Sequence, residues 1–175
     1  MQKVPYAQLK DKLIADKQLL VWTGPAFTPK ATVGIDPKTV SGIVVDNEDA
    51  KIVGDWLRSA TIGPYVGAEY LHDNNAEQGK KSVTFTPKLP KAGKYDVYLI
   101  WSANANRASK VPVDIVHADG KAKVTINQKK SGGWTKVFTG NFAEGTAGSV
   151  TIRTDGADGH VIADAVRFVE AGRKE

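Results

Sequence analysis

Between Lys94 and Trp101 the chain reads Lys-Tyr-Asp-Val-Tyr-Leu-Ile-Trp. At the two-residue period of a strand, Tyr95, Val97, Leu99 and Trp101 share one face, and Asp96, Tyr98 and Ile100 share the other. A strand apolar on one face and on most of the other must be covered from both sides. That places it in the middle of a β-sandwich.

The chain around it has the same texture from residue 42 onward. Gly42–Asp46 is a compact β-branched run, and Lys81–Thr86 alternates until Pro87 stops it. Leu89–Gly93 reads as a turn. Further strands are expected over Val111–His117, Lys121–Gln128, Thr135–Phe142, Ser149–Thr154 and Val161–Val169. The turn signals between them are Asp119-Gly120, Gly132-Gly133, Gly145, and Asp155-Gly156 with Asp158-Gly159, the last pair read as a hairpin turn. Short strands so punctuated, with almost no helical period, predict an all-β fold, an antiparallel, jelly-roll-like β-sandwich.

Upstream the pattern changes. Tyr6, Leu9, Leu13 and Ile14 fall at helical spacing behind Pro5, predicting a short N-terminal helix over Tyr6–Asp16. Gln18–Trp22 is a short apolar run of strand or extended type. Gly24–Ser41 carries Pro25, Pro29, Gly34 and Pro37, the composition of a linker. The chain thus divides into a helix-and-junction segment, residues 1–41, and a β-sandwich domain, residues 42–175.

With 175 residues, 41% hydrophobic and 25% charged, the chain can bury one core and is too apolar for disorder. No run approaches the roughly 18 consecutive apolar residues of a membrane span. The charges scattered through Met1–Leu20 are not those of a signal peptide. There is no cysteine, so disulfides, thiolate zinc sites and cysteine nucleophiles are excluded. The net charge is +5, and lysines thicken at Lys80, Lys81, Lys88, Lys91 and Lys94 and again at Lys129 and Lys130. Such a surface either solubilises the domain or attracts an anionic polysaccharide. Nucleic acid is not expected, because no recognition-helix or stacking-platform pattern accompanies the charge.

Signals of catalysis are missing. No Gly-x-Ser-x-Gly elbow presents a nucleophile, and no glycine-rich loop of the phosphate- or dinucleotide-binding kinds is present. His72, His117 and His160 are far apart, with surface or capping roles expected. Paired carboxylates for glycoside cleavage have no sequence spacing to search for, but a small domain with a solid β core seldom makes the cleft they use.

Two polar clusters are candidates for binding. Tyr70, His72 and Asp73 form one, and Asn104, Asn106 and Arg107 the other; both end or follow strands and so belong at a sandwich rim. A guanidinium fork and amides with donors and acceptors suit sugar hydroxyls or carboxylates. The competing reading has Arg107, Asp73 and Asp164 simply tying loops together. Trp134, behind Gly132-Gly133, is the candidate stacking platform, whereas Trp101 reads as core. Asp46, Glu48 and Asp164 are candidate oxygen ligands for a structural calcium, with a turn-capping network as the alternative.

One ordered set of segments is distinctive: Ile43-Val44-Val45-Asp46-Asn47, Gly54-Asp55-Trp56-Leu57-Arg58-Ser59, Tyr65-Val66-Gly67 and Tyr70-Leu71-His72-Asp73. It continues through Gly93–Tyr98, Val124–Gln128 and Gly133-Trp134 to Val161-Ile162-Ala163-Asp164-Ala165-Val166-Arg167-Phe168. From Gly42 to Val169 the chain therefore resembles the golvesin C-terminal / xanthan-lyase carbohydrate-binding-like domain family. The segments Val4–Leu9 and Leu13–Gln18 look like the stretch preceding this domain in bacterial FAD-dependent oxidoreductase-type proteins, with Lys17 where glycine is expected. With no dinucleotide-binding glycine motif here, any flavin would belong to another part of such a protein.

The resemblance implies a non-catalytic accessory domain of a larger, extracytoplasmic, polysaccharide-related bacterial protein. Its expected partners are a polysaccharide, anionic if the lysines take part, and the parent catalytic domain. The alternative is a structural domain that packs on that catalytic domain without touching glycan.

Overall fold

The computed structural model describes residues 34–172. The helix expected over Tyr6–Asp16, the run Gln18–Trp22 and most of the linker lie outside the described residues. Contacts divide the chain at Ala31/Thr32, and all the described residues belong to the second unit.

Twelve strands make up the described part: β1 (Ile43–Asp46), β2 (Lys51–Val53), β3 (Leu57–Ser59), β4 (Tyr70–His72), β5 (Ser82–Phe85) and β6 (Gly93–Ile100). Then follow β7 (Val111–His117), β8 (Gly120–Ile126), β9 (Thr135–Phe142), β10 (Ser149–Arg153), β11 (Ile162–Ala163) and β12 (Ala165–Glu170). They form a four-stranded sheet in the order β1-β12-β6-β9, a five-stranded sheet β2-β5-β10-β7-β8 and a small sheet β11-β4-β3. Every pairing of these strands is antiparallel.

The two large sheets form a sandwich because each has one apolar face. Val45, Tyr95, Val97, Leu99, Val166 and Phe168 from the first meet Val83, Phe85, Val113, Ile115, Val150 and Ile152 from the second in one buried cluster. Phe142 anchors it, edge-on to Phe168 at 5.4 Å and to Tyr95 at 6.2 Å. Each such side chain contributes about 1.5–3 kcal/mol by leaving water. The strand that opened the sequence reading, β6, lies between β12 and β9. Its second face is covered at Ile100, which packs with Val66 and Ala165 against Ile35 and Trp134, while Asp96 and Tyr98 stay half-buried.

Three expectations differ from the fold. Between Asp46 and Lys81 the sequence marks only that Tyr70–Asp73 ends or follows a strand, whereas β2, β3 and β4 lie there; β2 and β3 are short and exposed, so no core imposes alternation on them. The run Val161–Val169 is not one strand. It breaks at Asp164, with β11 pairing with β4 and β12 pairing with β1 and β6. Nor is Asp155–Gly159 a hairpin turn: β10 pairs with β5 and β7 while β11 pairs elsewhere, so this segment crosses between sheets. Upstream, Ile35 bridges to Val66: Ile35 N donates to Tyr65 O at 2.8 Å, and Gly67 N to Ile35 O at 2.9 Å. Ile35 therefore packs on the sandwich.

Candidate functional site

Four connections meet at one end of the sandwich: 73–81, 101–110, 127–134 and 154–161. Backbone bonds lace them together. Ala108 N donates to His160 O at 2.8 Å, His160 N to Asn106 O at 3.0 Å, Asp73 N to Val161 O at 3.1 Å and Gln128 N to Ala108 O at 2.9 Å.

Buried side chains complete the lacing. Asp73 is fully buried, and its Oδ1 accepts from Asn75 N and Val161 N, both at 2.9 Å. Lys81 Nζ donates to the Asp73 carbonyl at 2.8 Å. The Gln128 amide acts as a substitute strand partner for β11: Nε2 donates to Ile162 O and Oε1 accepts from Ile162 N, both at 2.8 Å. Arg107 is buried as well, donating from Nε to Ser102 O at 3.1 Å, from Nη2 to Ser102 Oγ at 3.3 Å and from Nη1 to Asn106 Oδ1 at 3.1 Å. Its guanidinium carbon stands 5.9 Å from the Tyr70 ring centroid. These bonds run to neutral groups; a second cation, Lys81, and one carboxylate, Asp73, are buried at the same end.

Other side chains are presented rather than buried. His72 and His160 are half-buried and stand edge-on, 5.9 Å between centroids. Burial, then His160, then Arg107 hold the His72 pKa below the ordinary histidine value. His72 Nδ1 accepts from Asn74 N at 3.2 Å, so the neutral ring carries its proton on Nε2. Asn106 is exposed; with Oδ1 taken by Arg107, its amide nitrogen is the group left to donate. Asn104 is half-buried and accepts from Asn106 N at 3.3 Å. Asp73 Oδ2 and His160 Nδ1 are buried with no hydrogen-bond partner among the described residues.

Six of the seven residues nominated from sequence thus gather at this end, sorted by burial. Tyr70, Asp73 and Arg107 lie inside, while His72, Asn104 and Asn106 face out at least in part. The seventh, Trp134, is half-buried on the outer face of the four-stranded sheet. There the Arg167 guanidinium carbon sits 5.5 Å from its ring centroid and 4.6 Å from that of Tyr98. His160 and Gln128 were not nominated. Neither carries a local signal, since both depend on which loops the topology brings together.

A second polar group lies where the last strand breaks. Asp164 is fully buried and its carboxylate accepts from Val66 N at 3.1 and 3.3 Å. Burial above all pushes its pKa up to about 8 and that of Asp46 up to about 6, and Asp46 adds to the rise of Asp164. Gly67 sits at φ +65°, and a Cβ there would stand 2.3 Å from Asp46 Oδ2, so only glycine fits against this carboxylate. The Asn47 amide, with its nitrogen turned inward, donates to Asp46 Oδ1 and Glu69 O at 2.9 Å each. Glu48, expected as a third oxygen ligand, is exposed, and among the described residues no three acid or histidine side chains form a metal-sized group.

Known proteins share both the sequence and this architecture. The chain is 46% identical over 147 residues to a xanthan lyase from Bacillus sp. (strain GL1), a match covering 79% of this chain and 16% of that one. The structure of Paenibacillus xanthan lyase superposes with a TM-score of 0.72 at 44% identity, over 74% of this chain and 13% of the other. This chain thus spans about one-sixth of the length of the curated relative it matches. A family 35 carbohydrate-binding module from Clostridium thermocellum shares the fold, with a TM-score of 0.53 at 14% identity over 75% of this chain and all of the module. The family model described as the Golvesin C-terminal domain matches residues 43–170, and the chain belongs to that family.

Proposed function

We propose that this chain is a non-catalytic carbohydrate-binding module of a larger, polysaccharide-directed protein working outside the cytoplasm, and that it takes glycan at the end where the four connections meet. The observation that carries this reading is the sorting of that end. Asp73, Arg107 and Gln128 are buried and hold the loops, while His72, His160, Asn104 and Asn106 present ring edges and amides on the fixed frame. Neutral donors and acceptors on a rigid frame suit sugar hydroxyls. Family membership and the fold shared with a family 35 carbohydrate-binding module support it, as does the polysaccharide named for the lyase. The test is affinity electrophoresis of the full chain in gels containing xanthan. His72→Ala/Asn106→Ala should lose at least about tenfold in affinity with the fold intact, the scale set by losing two hydrogen bonds of about 1 kcal/mol each. Unchanged retardation would sink the site.

A second reading, docking on a parent catalytic domain, is favoured by one observation. Ile52, Val53 and Leu57 are 37%, 46% and 49% exposed on strands β2 and β3. Exposed large apolar residues this close in the chain are candidates for a contact surface. Charged substitutions at these three positions should leave glycan binding alone and loosen the association of the two domains in a full-length protein, read by limited proteolysis at the junction.

We also propose a supporting ion for the module. Asp46 and Asp164, with the Glu69 carbonyl and the Asn47 amide rotated to turn its oxygen inward in place of its nitrogen, would hold calcium, whose charge removes the cost of burying two carboxylates.

A further inference from the structure

The two large sheets do not close on each other along one side. Strand β8 ends the five-stranded sheet and β9 ends the four-stranded sheet. Between them lies a cleft of about 360 Å3. Trp101, Val124, Ile126 and Val137 form its apolar floor. The floor is fixed: Trp101 is buried, its indole nitrogen donates to Lys130 O at 3.1 Å, and its carbonyl accepts from Gly133 N at 3.2 Å. A register shift in the β6–β9 pairing at Val97/Tyr98 leaves Val137 without a partner in β6. The rim is made of hydroxyls and an amide, from Thr125, Ser131, Thr135 and Asn127, with two ammonium groups, Lys130 and Lys136, and no carboxylate. Lys136 is itself exposed and pairs with the half-buried Asp96 at 3.6 Å. Lys130 is exposed.

We propose that this cleft is a second glycan subsite selective for sugars that bear a carboxylate. It rests on the carbohydrate-binding reading above and supplies its charge preference. An apolar floor suits the C–H face of a pyranose ring, hydroxyls and an amide suit its hydroxyls, and two ammonium groups meet a carboxylate. The 127–134 connection contributes Asn127, Lys130 and Ser131 here and Gln128 to the lacing of the loop end, so one polymer chain can pass from one site to the other. Strand addition by a peptide is opposed by the bulge in β9 and by Lys121 and Lys123 along β8.

The test uses the full chain, xanthan and carboxyl-reduced xanthan as paired probes, at low and physiological salt. The unsubstituted chain should bind the intact polymer roughly tenfold more tightly at low salt, and salt should shrink the difference. Lys130→Ala/Lys136→Ala should abolish that preference while keeping the affinity for the reduced polymer, and Lys130→Arg/Lys136→Arg should restore it. A preference that survives the double alanine variant overturns the subsite alone, because binding through the loop end would remain. Equal binding of both polymers by the unsubstituted chain overturns it in the same way. Binding of neither overturns the subsite and the carbohydrate reading together.

Discussion

The two ends of the sandwich are closed by different physics. At the end opposite the loops, closure is apolar and made by backbone. Leu89 is buried and exchanges both backbone bonds with Gly145 at 2.9 Å, Phe142 and Tyr95 meet edge to face, and β7 turns into β8 through a tight hairpin. At the loop end, closure relies on buried Asp73, Arg107, Gln128 and Asp164, which substitute side-chain groups for missing strand partners. A buried polar group costs free energy unless its bonds are met, so a polar frame is a poor way to gain stability. It is a good way to fix loops that share no sheet, and fixed loops are what a binding end requires. The contrast separates an end built for stability from an end built for position.

The largest effects should come from the apolar end. Phe142→Ala should lower stability by about 3–5 kcal/mol, read by urea unfolding, and leave glycan affinity of the folded fraction unchanged. A stability loss under about 1 kcal/mol would break the comparison. Next is Gln128→Leu, which strands Ile162 N and O in the interior. It should cost about 2–3 kcal/mol and should also weaken glycan binding, because β11 and its neighbouring loops lose their register. Stability lost with binding kept in the folded fraction would show that the frame does not position the site.

The pH dependence sharpens the contrast. The native pKa values of Asp164, about 8, and Asp46, about 6, lie above the ordinary 3.8, so the folded state holds these protons more tightly than the unfolded one. Their contribution to stability is therefore complete below about pH 4 and declines as pH rises through these native values. In chelator, the urea midpoint should be lower at pH 9 than at pH 5, and Asp164→Asn should flatten the difference. At pH 8, millimolar calcium should raise the melting temperature of the unsubstituted chain and not that of Asp164→Asn. A melting temperature blind to calcium would overturn the proposal that this pair holds the ion.

The smallest effect belongs to the outer face of the five-stranded sheet, where Lys123 pairs with Asp114 at 3.9 Å and both groups are solvated. Lys123→Ala should change stability by less than about 0.5 kcal/mol and leave glycan affinity within twofold. A larger loss of affinity would move the binding surface away from both proposed sites.

Much of the sandwich was legible because its core strands obey a two-residue period. The strand Gly93–Ile100 is buried on its Tyr95–Val97–Leu99 face and partly covered on the other, and β7, β9 and β10 stand within a residue or two of where their β-branched runs place them. β2 and β3 were not legible, since an exposed three-residue strand imposes no pattern. The break at Asp164 was hidden for the opposite reason: Val161–Val169 is buried throughout, and a mostly apolar run reads the same whether it serves one sheet or two.

The candidate site divided in the same way. That Tyr70–Asp73 and Asn104–Arg107 lie at a rim followed from strand ends, which are local. Which of these residues face inward, which face out, and that His160 and Gln128 join them, followed from loops separated by up to 88 residues in the chain. Likewise, the lysines at 129 and 130 were visible as charge, but the cleft beside Lys130 exists only because β8 and β9 end different sheets. Residue type and spacing by themselves determined an all-β sandwich, a polar rim and a basic surface. The tertiary structure alone decided which polar groups are frame and which are contact. Burial is set by what packs from elsewhere in the chain, and no local pattern records that.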